Sequence, residues 1–185
     1  RMHIRFTGES DQGYTITISG SASYDISSGR IHLETGTTQS SYVQIYNNET
    51  LVDFSKNPVL RCKVKIGSDT NQYVNLYVGQ YGAWMQHFGF RIEGNMLYGR
   101  SRTSNNNETQ IALKTIVAGE ELTLEAVYYS GSRIEFYVDG ELLGTITTNL
   151  PETTEKASQI YLWLSNAAAE NKTLDVYYWM VEQDW

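Results

Sequence analysis

The chain has 185 residues, with 14 Lys and Arg against 21 Asp and Glu, and a net charge of −7. That balance argues against a nucleic-acid binder, which neutralises phosphates with clustered Lys and Arg. No apolar run approaches the length of a membrane-spanning helix, and a single Cys allows neither an intramolecular disulfide nor a thiolate metal site. What stands out is 14 Tyr beside 5 Phe and 4 Trp, more rings than a core of this size needs for filling. Arg1 ahead of Met2 does not look like a natural start, so the natural chain is expected to be longer and the N-terminus is expected to say little about compartment.

Along the chain, apolar residues recur with period two almost everywhere and with period 3.6 almost nowhere. Alternation predicts strands over 14–18, 29–33 and 42–46. The cleanest case follows at 60–66, where Leu60, Cys62, Val64 and Ile66 point one way and Arg61, Lys63 and Lys65 the other. Cys62 is therefore expected to be a small buried hydrophobe. Further strands are predicted at 73–78 and 88–92, with a tight turn at Glu93-Gly94-Asn95 and a polar loop over 101–109. Next come 121–129, a Ser130-Gly131-Ser132 turn, 133–138, and Asp139-Gly140, a pair suited to a type I′ hairpin. The last strands fall at 160–164 and 173–181, separated by 166–171, which holds one or two helical turns at most. The pattern is one all-β domain over 1–185, an antiparallel sandwich of about 12–14 strands by its spacing.

The stretch Arg133-Ile-Glu-Phe-Tyr-Val-Asp-Gly-Glu-Leu-Leu-Gly-Thr-Ile-Thr-Thr-Asn-Leu-Pro151 resembles the strand–Asp-Gly–strand unit and Leu-Pro loop of concanavalin A-like lectin/glucanase domains, a superfamily that includes laminin G-like modules. Ile116–Val127 looks like the strand before that hairpin, and 160–166 and 174–183 look like the last two strands. The likeness is clearest over 57–183. It implies a jelly-roll β-sandwich of two antiparallel sheets, one of them curved around a groove that carries carbohydrate in many relatives.

Several strands set aliphatics against aromatics. Tyr161 and Trp163 oppose Ile160, Leu162 and Leu164; Tyr73, Tyr77 and Tyr81 oppose Val74, Leu76 and Val78; Tyr177 and Trp179 oppose Leu174, Val176, Tyr178 and Met180. Rings on an outer face offer flat surfaces to the C–H face of a sugar. The segment 77–91 carries Trp84, Gln86 and His87 beside an aromatic strand at a Gly-bracketed turn and is the best candidate for a binding loop. The expected carbohydrate site therefore stacks sugars on Tyr77, Tyr81, Trp84, Tyr161, Trp163 and Trp179 and hydrogen-bonds them through Gln86, His87, Arg91 and Asn166.

No catalytic residues are expected. Glycoside hydrolysis uses two carboxylates across the bond. Glu135, Asp139 and Glu141 do not form the run that glucanases of the superfamily carry, and Asp139 reads as a turn former. Gln80, Tyr81, Gln86, His87 and Arg91 include lyase-type side chains without the lyase strings. No metal ligand set and no cofactor are predicted. Calcium stays open through the resemblance, at Asp175 or at the oxygens of Asn105, Asn106, Asn107 and Glu108.

Three functions remain: a non-catalytic, lectin-like domain of a secreted or virion-borne protein; a phage capsid decoration or tail appendage whose rings meet virion proteins or a second copy; and a hydrolase or lyase on the same fold. The partners expected are a glycan or polysaccharide, with virion proteins or self-association as the other reading, and neither nucleic acid nor an inserted membrane. An extracellular or virion-surface location goes with each of the first two.

Overall fold

The alternation at 60–66 becomes a strand with every second residue inside, and Leu60, Cys62, Val64 and Ile66 are fully buried. Burial drives the Cys62 thiol pKa well up, as an inert core thiol requires. The computed structural model describes residues 2–4 (as backbone), 14–47, 51–79 and 86–184. In chain order the strands are β1 (Met2–Ile4), β2 (Thr15–Ser19), β3 (Ser23–Ser27), β4 (Arg30–Glu34), β5 (Tyr42–Tyr46), β6 (Val52–Asp53), β7 (Val59–Ile66) and β8 (Gln72–Gly79). They continue with β9 (His87–Glu93), β10 (Met96–Arg102), β11 (Glu108–Thr115), β12 (Glu121–Tyr129), β13 (Arg133–Val138), β14 (Glu141–Ile146), β15 (Lys156–Asn166) and β16 (Thr173–Glu182). A 3-10 turn, Phe54–Lys56, follows β6.

Two eight-stranded antiparallel sheets result. The back sheet runs β14-β13-β12-β7-β16-β4-β3, with β1 beside β16; the front sheet runs β11-β10-β9-β8-β15-β5-β2, with β6 beside β15. Inward residues of both sheets make one core, in which Phe90 meets Phe136 edge-on at 5.5 Å and Phe54, Phe88 and Tyr128 form a second ring cluster. The β13–β14 hairpin turns on Asp139 and Gly140, both with positive φ (51° and 84°), as a type I′ turn demands.

Three expectations change. The described strands number sixteen rather than 12–14. The polar stretch 101–109 is a hairpin, with Ser101 and Arg102 ending β10 and Glu108 and Thr109 beginning β11. Residues 167–170 form bends rather than a helical turn.

A further sequence-level pattern breaks in the closing strand. Val176 pairs with Val64 and Tyr178 with Lys63, so Tyr177 is an extra residue, a β-bulge. Beyond the bulge the parity reverses, and Trp179 opposes Cys62 with no exposure at all. Its indole N–H donates to the Gln159 carbonyl at 2.9 Å. Trp179 is a core residue and cannot stack on a sugar.

Candidate functional site

Residues two apart on a strand share a face, and antiparallel partners stand side by side, so the outer face of the front sheet is laid out in rows. One row runs Thr15, Tyr46, Tyr161, Tyr77, Gly89, Arg100 and Gln110 from β2 to β11. The next runs Thr17, Gln44, Trp163, Asn75, Arg91, Tyr98 and Ala112. Rings, amides and guanidinium groups alternate across seven strands, while Ile160, Leu162, Leu164, Val74, Leu76 and Val78 point into the core.

Outward side chains on a flat open sheet stand in water. Here Tyr77 is 2%, Asn75 6% and Arg100 9% exposed, so neighbours rise around the middle of the face. The Tyr77 ring is flanked on both sides, by His87 at 4.1 Å and 14° and by Tyr161 at 6.1 Å and 5°. No sugar can lie on it. Its hydroxyl donates to Asn75 Oδ1 at 3.0 Å and accepts from Arg100 Nη1 at 3.3 Å. Burial raises the Tyr77 pKa, against the opposing pull of Arg100 and Arg91, so the phenol keeps its proton. Tyr77 braces the face rather than forming a platform.

Tyr161 and Trp163 are half-buried, and Trp163 meets Tyr42 at 6.3 Å and 59°. These rings, with Tyr46, keep accessible area. Arg91 sits over the Tyr73 ring at 5.6 Å, donates to Glu93 through Nε at 2.6 Å, and reaches Asn75 Oδ1 at 3.4 Å. His87 opens β9, 8% exposed.

Two expected binding groups act elsewhere. Gln86 is 1% exposed and its Oε1 accepts from the Glu152 amide at 2.8 Å, tying two loops together. Asn166 is 2% exposed and its amide nitrogen is aimed at the carbonyls of Gly36, Thr38 and Glu170 at 3.0–3.1 Å, pinning the chain at the end of β15. Both are structural cross-ties. Tyr81 and Trp84, along with Gln80, lie outside the described residues. Glu135, Asp139 and Glu141 belong to the back sheet's hairpin, away from the front face. Both oxygens of Asp175 are engaged, by Arg30 at 2.8 Å and by His32 at 2.5 Å.

The structure adds residues that sequence reasoning did not select: Gln44, Asn75, Tyr98, Gly89, Arg100 and Arg102. Gly89 stands between Tyr77 and Arg100 in its row, with φ of +148°, and a Cβ there would lie 2.2 Å from the Leu76 carbonyl oxygen. With no side chain in between, Arg100 reaches across β9 to Tyr77. Its other end is held by Glu108. Burial opposes the Arg100 charge, yet Tyr77 and Glu108 raise its pKa overall, so it stays cationic. The signal was there: Met96, Tyr98, Arg100 and Arg102 alternate with Leu97, Gly99 and Ser101.

No protein-family model matches the chain, and no curated protein matches it in sequence. Solved structures do match in three dimensions. A prokaryotic β-1,3-1,4-glucanase (lichenase) from a mouse hindgut metagenome aligns at TM-score 0.75 and 11% identity, over 98% of this chain and 97% of that one. The Bacillus licheniformis β-glucanase aligns at 0.71 and 13%, over 96% of each. The botulinum neurotoxin serotype G binding domain aligns at 0.65 and 11%, over 99% of this chain and 47% of the toxin domain, about half its length. Across nearly its whole length the chain therefore has the concanavalin A-like jelly-roll fold.

Proposed function

We propose that this chain is a non-catalytic carbohydrate-binding domain of a secreted or virion-borne protein, taking its ligand across the outer face of the front sheet. The observation that carries the reading is the row pattern. Half-buried Tyr161, Trp163, Tyr42 and Tyr46 are interleaved with Gln44, Asn75 and Arg91. Sugars need that mixture, apolar plates for C–H faces and fixed polar groups for hydroxyls. Similarity in fold to two glucanases and to toxin binding domains supports it. For botulinum neurotoxin type C, one of these structural neighbours, cell entry depends upon interaction with two ganglioside molecules.

The non-catalytic part rests on the carboxylates beside the rings. Glu93 is held by Arg91 and Glu108 by Arg100, whereas glycoside hydrolysis asks for a facing pair with one acid free to give up a proton. A shallow ring-lined face binds weakly at each copy and gains from repeated display.

A panel of polysaccharides titrated against tryptophan fluorescence tests the reading. Trp163→Ala is expected to weaken the best ligand by about five-fold, roughly 1 kcal/mol, the usual worth of one ring contact. A panel that produces no response with the unmodified protein removes the proposal. Release of reducing or unsaturated sugar ends would make the protein an enzyme instead.

A further inference from the structure

The chain carries a net charge of −7, yet the β9–β11 end of the front face carries arginine in excess of its paired acid. Arg100 and Arg102 are two apart on β10 and so share that face. Arg100 stands opposite Gly89 and Gln110, Arg102 opposite His87 and Glu108. Glu108 is ion-paired with Arg100, and among the described residues Arg102 forms no ion pair.

Both arginines also keep a buried donor without an acceptor. Arg100 is 9% exposed, and its Nε has no hydrogen-bond partner; Nε of Arg102 is likewise buried and unpartnered. Buried donors are nearly always satisfied, and one left over is costly. Two on neighbouring guanidinium groups, on a face already lined with rings, mark an incomplete acceptor site. Arg100 is also held in advance, by Tyr77 at one end and Glu108 at the other, so a ligand need not order it. A planar guanidinium matches a planar carboxylate through parallel N–H donors.

We infer that the glycan bound here is acidic, a polymer in which one uronate seats its carboxylate on Arg102 and Arg100 while further sugars of the same chain, three strands away, lie toward Tyr161 and Trp163. The inference rests on the carbohydrate reading above and narrows its ligand class. It also corrects the picture that overall charge suggests: the molecule as a whole repels polyanions, so a uronate polymer is bound through this seat rather than by general attraction.

Calorimetric titration at matched ionic strength tests it, using polygalacturonate, alginate and hyaluronate, each beside its methyl-esterified form, with barley β-glucan and galactomannan as neutral polymers. At least one acid form is expected to bind about tenfold more tightly than its ester. Arg102→Gln should bring the acid form down to the ester's affinity and leave the ester unchanged. Arg133→Gln, on the back sheet, should alter neither. Esters bound as tightly as acids, or an acid preference that survives Arg102→Gln, overturns the uronate assignment. Binding of neutral polymers without any preference for acids sinks this inference and keeps the carbohydrate reading; no binding of any polymer sinks both.

Discussion

The two outer faces of this sandwich are built from the same residue types and finished differently. On the back sheet, tyrosine and charge close upon one another. Arg133 donates to Glu135 at 2.7 Å and lies 3.9 Å from the Tyr129 ring centroid, and Tyr129 and Tyr137 both donate to the same carboxylate. Accepting those bonds lowers the Glu135 pKa, while Tyr137 is pushed up to about 12 by its bond to Glu135. Arg61 bridges Glu125 and Glu182, and Lys63 pairs with Glu121, which also takes the Tyr177 hydroxyl. The front face instead buries the Nε groups of Arg100 and Arg102 without acceptors. A face whose charges are already matched has little left to offer a ligand; one with unmatched donors under partial cover does. The surplus of tyrosine is thus divided between both faces, and what separates them is the state of the polar groups around the rings.

The largest expected effect breaks the comparison at its two tryptophans. Trp179→Ala removes a fully buried ring and should cost about 3–5 kcal/mol in urea unfolding. Trp163→Ala, on the front face, should cost less than about 1 kcal/mol while weakening glycan binding. Equal losses would erase the distinction between core ring and face ring.

Next come the arginines. Arg61→Gln strips two carboxylates of their partner on a partly solvated surface, for about 1 kcal/mol or less, shrinking further in molar salt. Arg102→Gln removes a cation that the fold leaves unpaired, and should leave the urea midpoint unchanged or slightly higher. A large loss there would mean that the fold, not a ligand, uses Arg102.

The smallest effect is a pH dependence on the back sheet. Burial lowers the His32 pKa, but hydrogen bonds and proximity to Asp175 and Glu34 outweigh it, and the net shift is upward from 6.5. Proton binding therefore favours the folded chain. The contribution is complete below about pH 6.5 and fades as pH rises through the folded-state value, and for a group in contact with water it amounts to about 0.5 kcal/mol or less. Comparing His32→Gln with the unmodified protein, the stability difference should be larger at pH 5.5 than at pH 8.5. A difference that grows toward high pH would reverse the assignment.

Much of the fold was legible because most core positions of β7, β12, β13 and β15 carry an aliphatic or aromatic side chain, so period two is written in hydrophobicity. β10 escaped because its inward places hold Gly99, packed under Phe136, and Ser101, whose hydroxyl donates to the Asn149 carbonyl. Neither residue type marks an inside. With the strand unseen, Arg102 read as a member of the polar loop 101–109 and Arg100 was assigned to no element. Trp179 was misplaced for a different reason: the extra residue at Tyr177 shifts parity, and a bulge answers to the register of β7, which lies far away in sequence. Tyr161, Trp163 and Arg91 could be placed on the outer face from sequence because each sits on a strand whose other face is unambiguously apolar.

Gly89 has a bearing on how this face can change. It carries no functional group, and it stands in its row between Arg100 and Tyr77, whose side chains meet at 3.3 Å. The same atom-poor position is locked by the Leu76 carbonyl 2.2 Å from any added Cβ, so the chain geometry holds it as glycine. On the proposed carbohydrate reading, variation in ligand preference is expected at the strand ends, where Arg102 stands, and not at the centre, where the chain has no second choice.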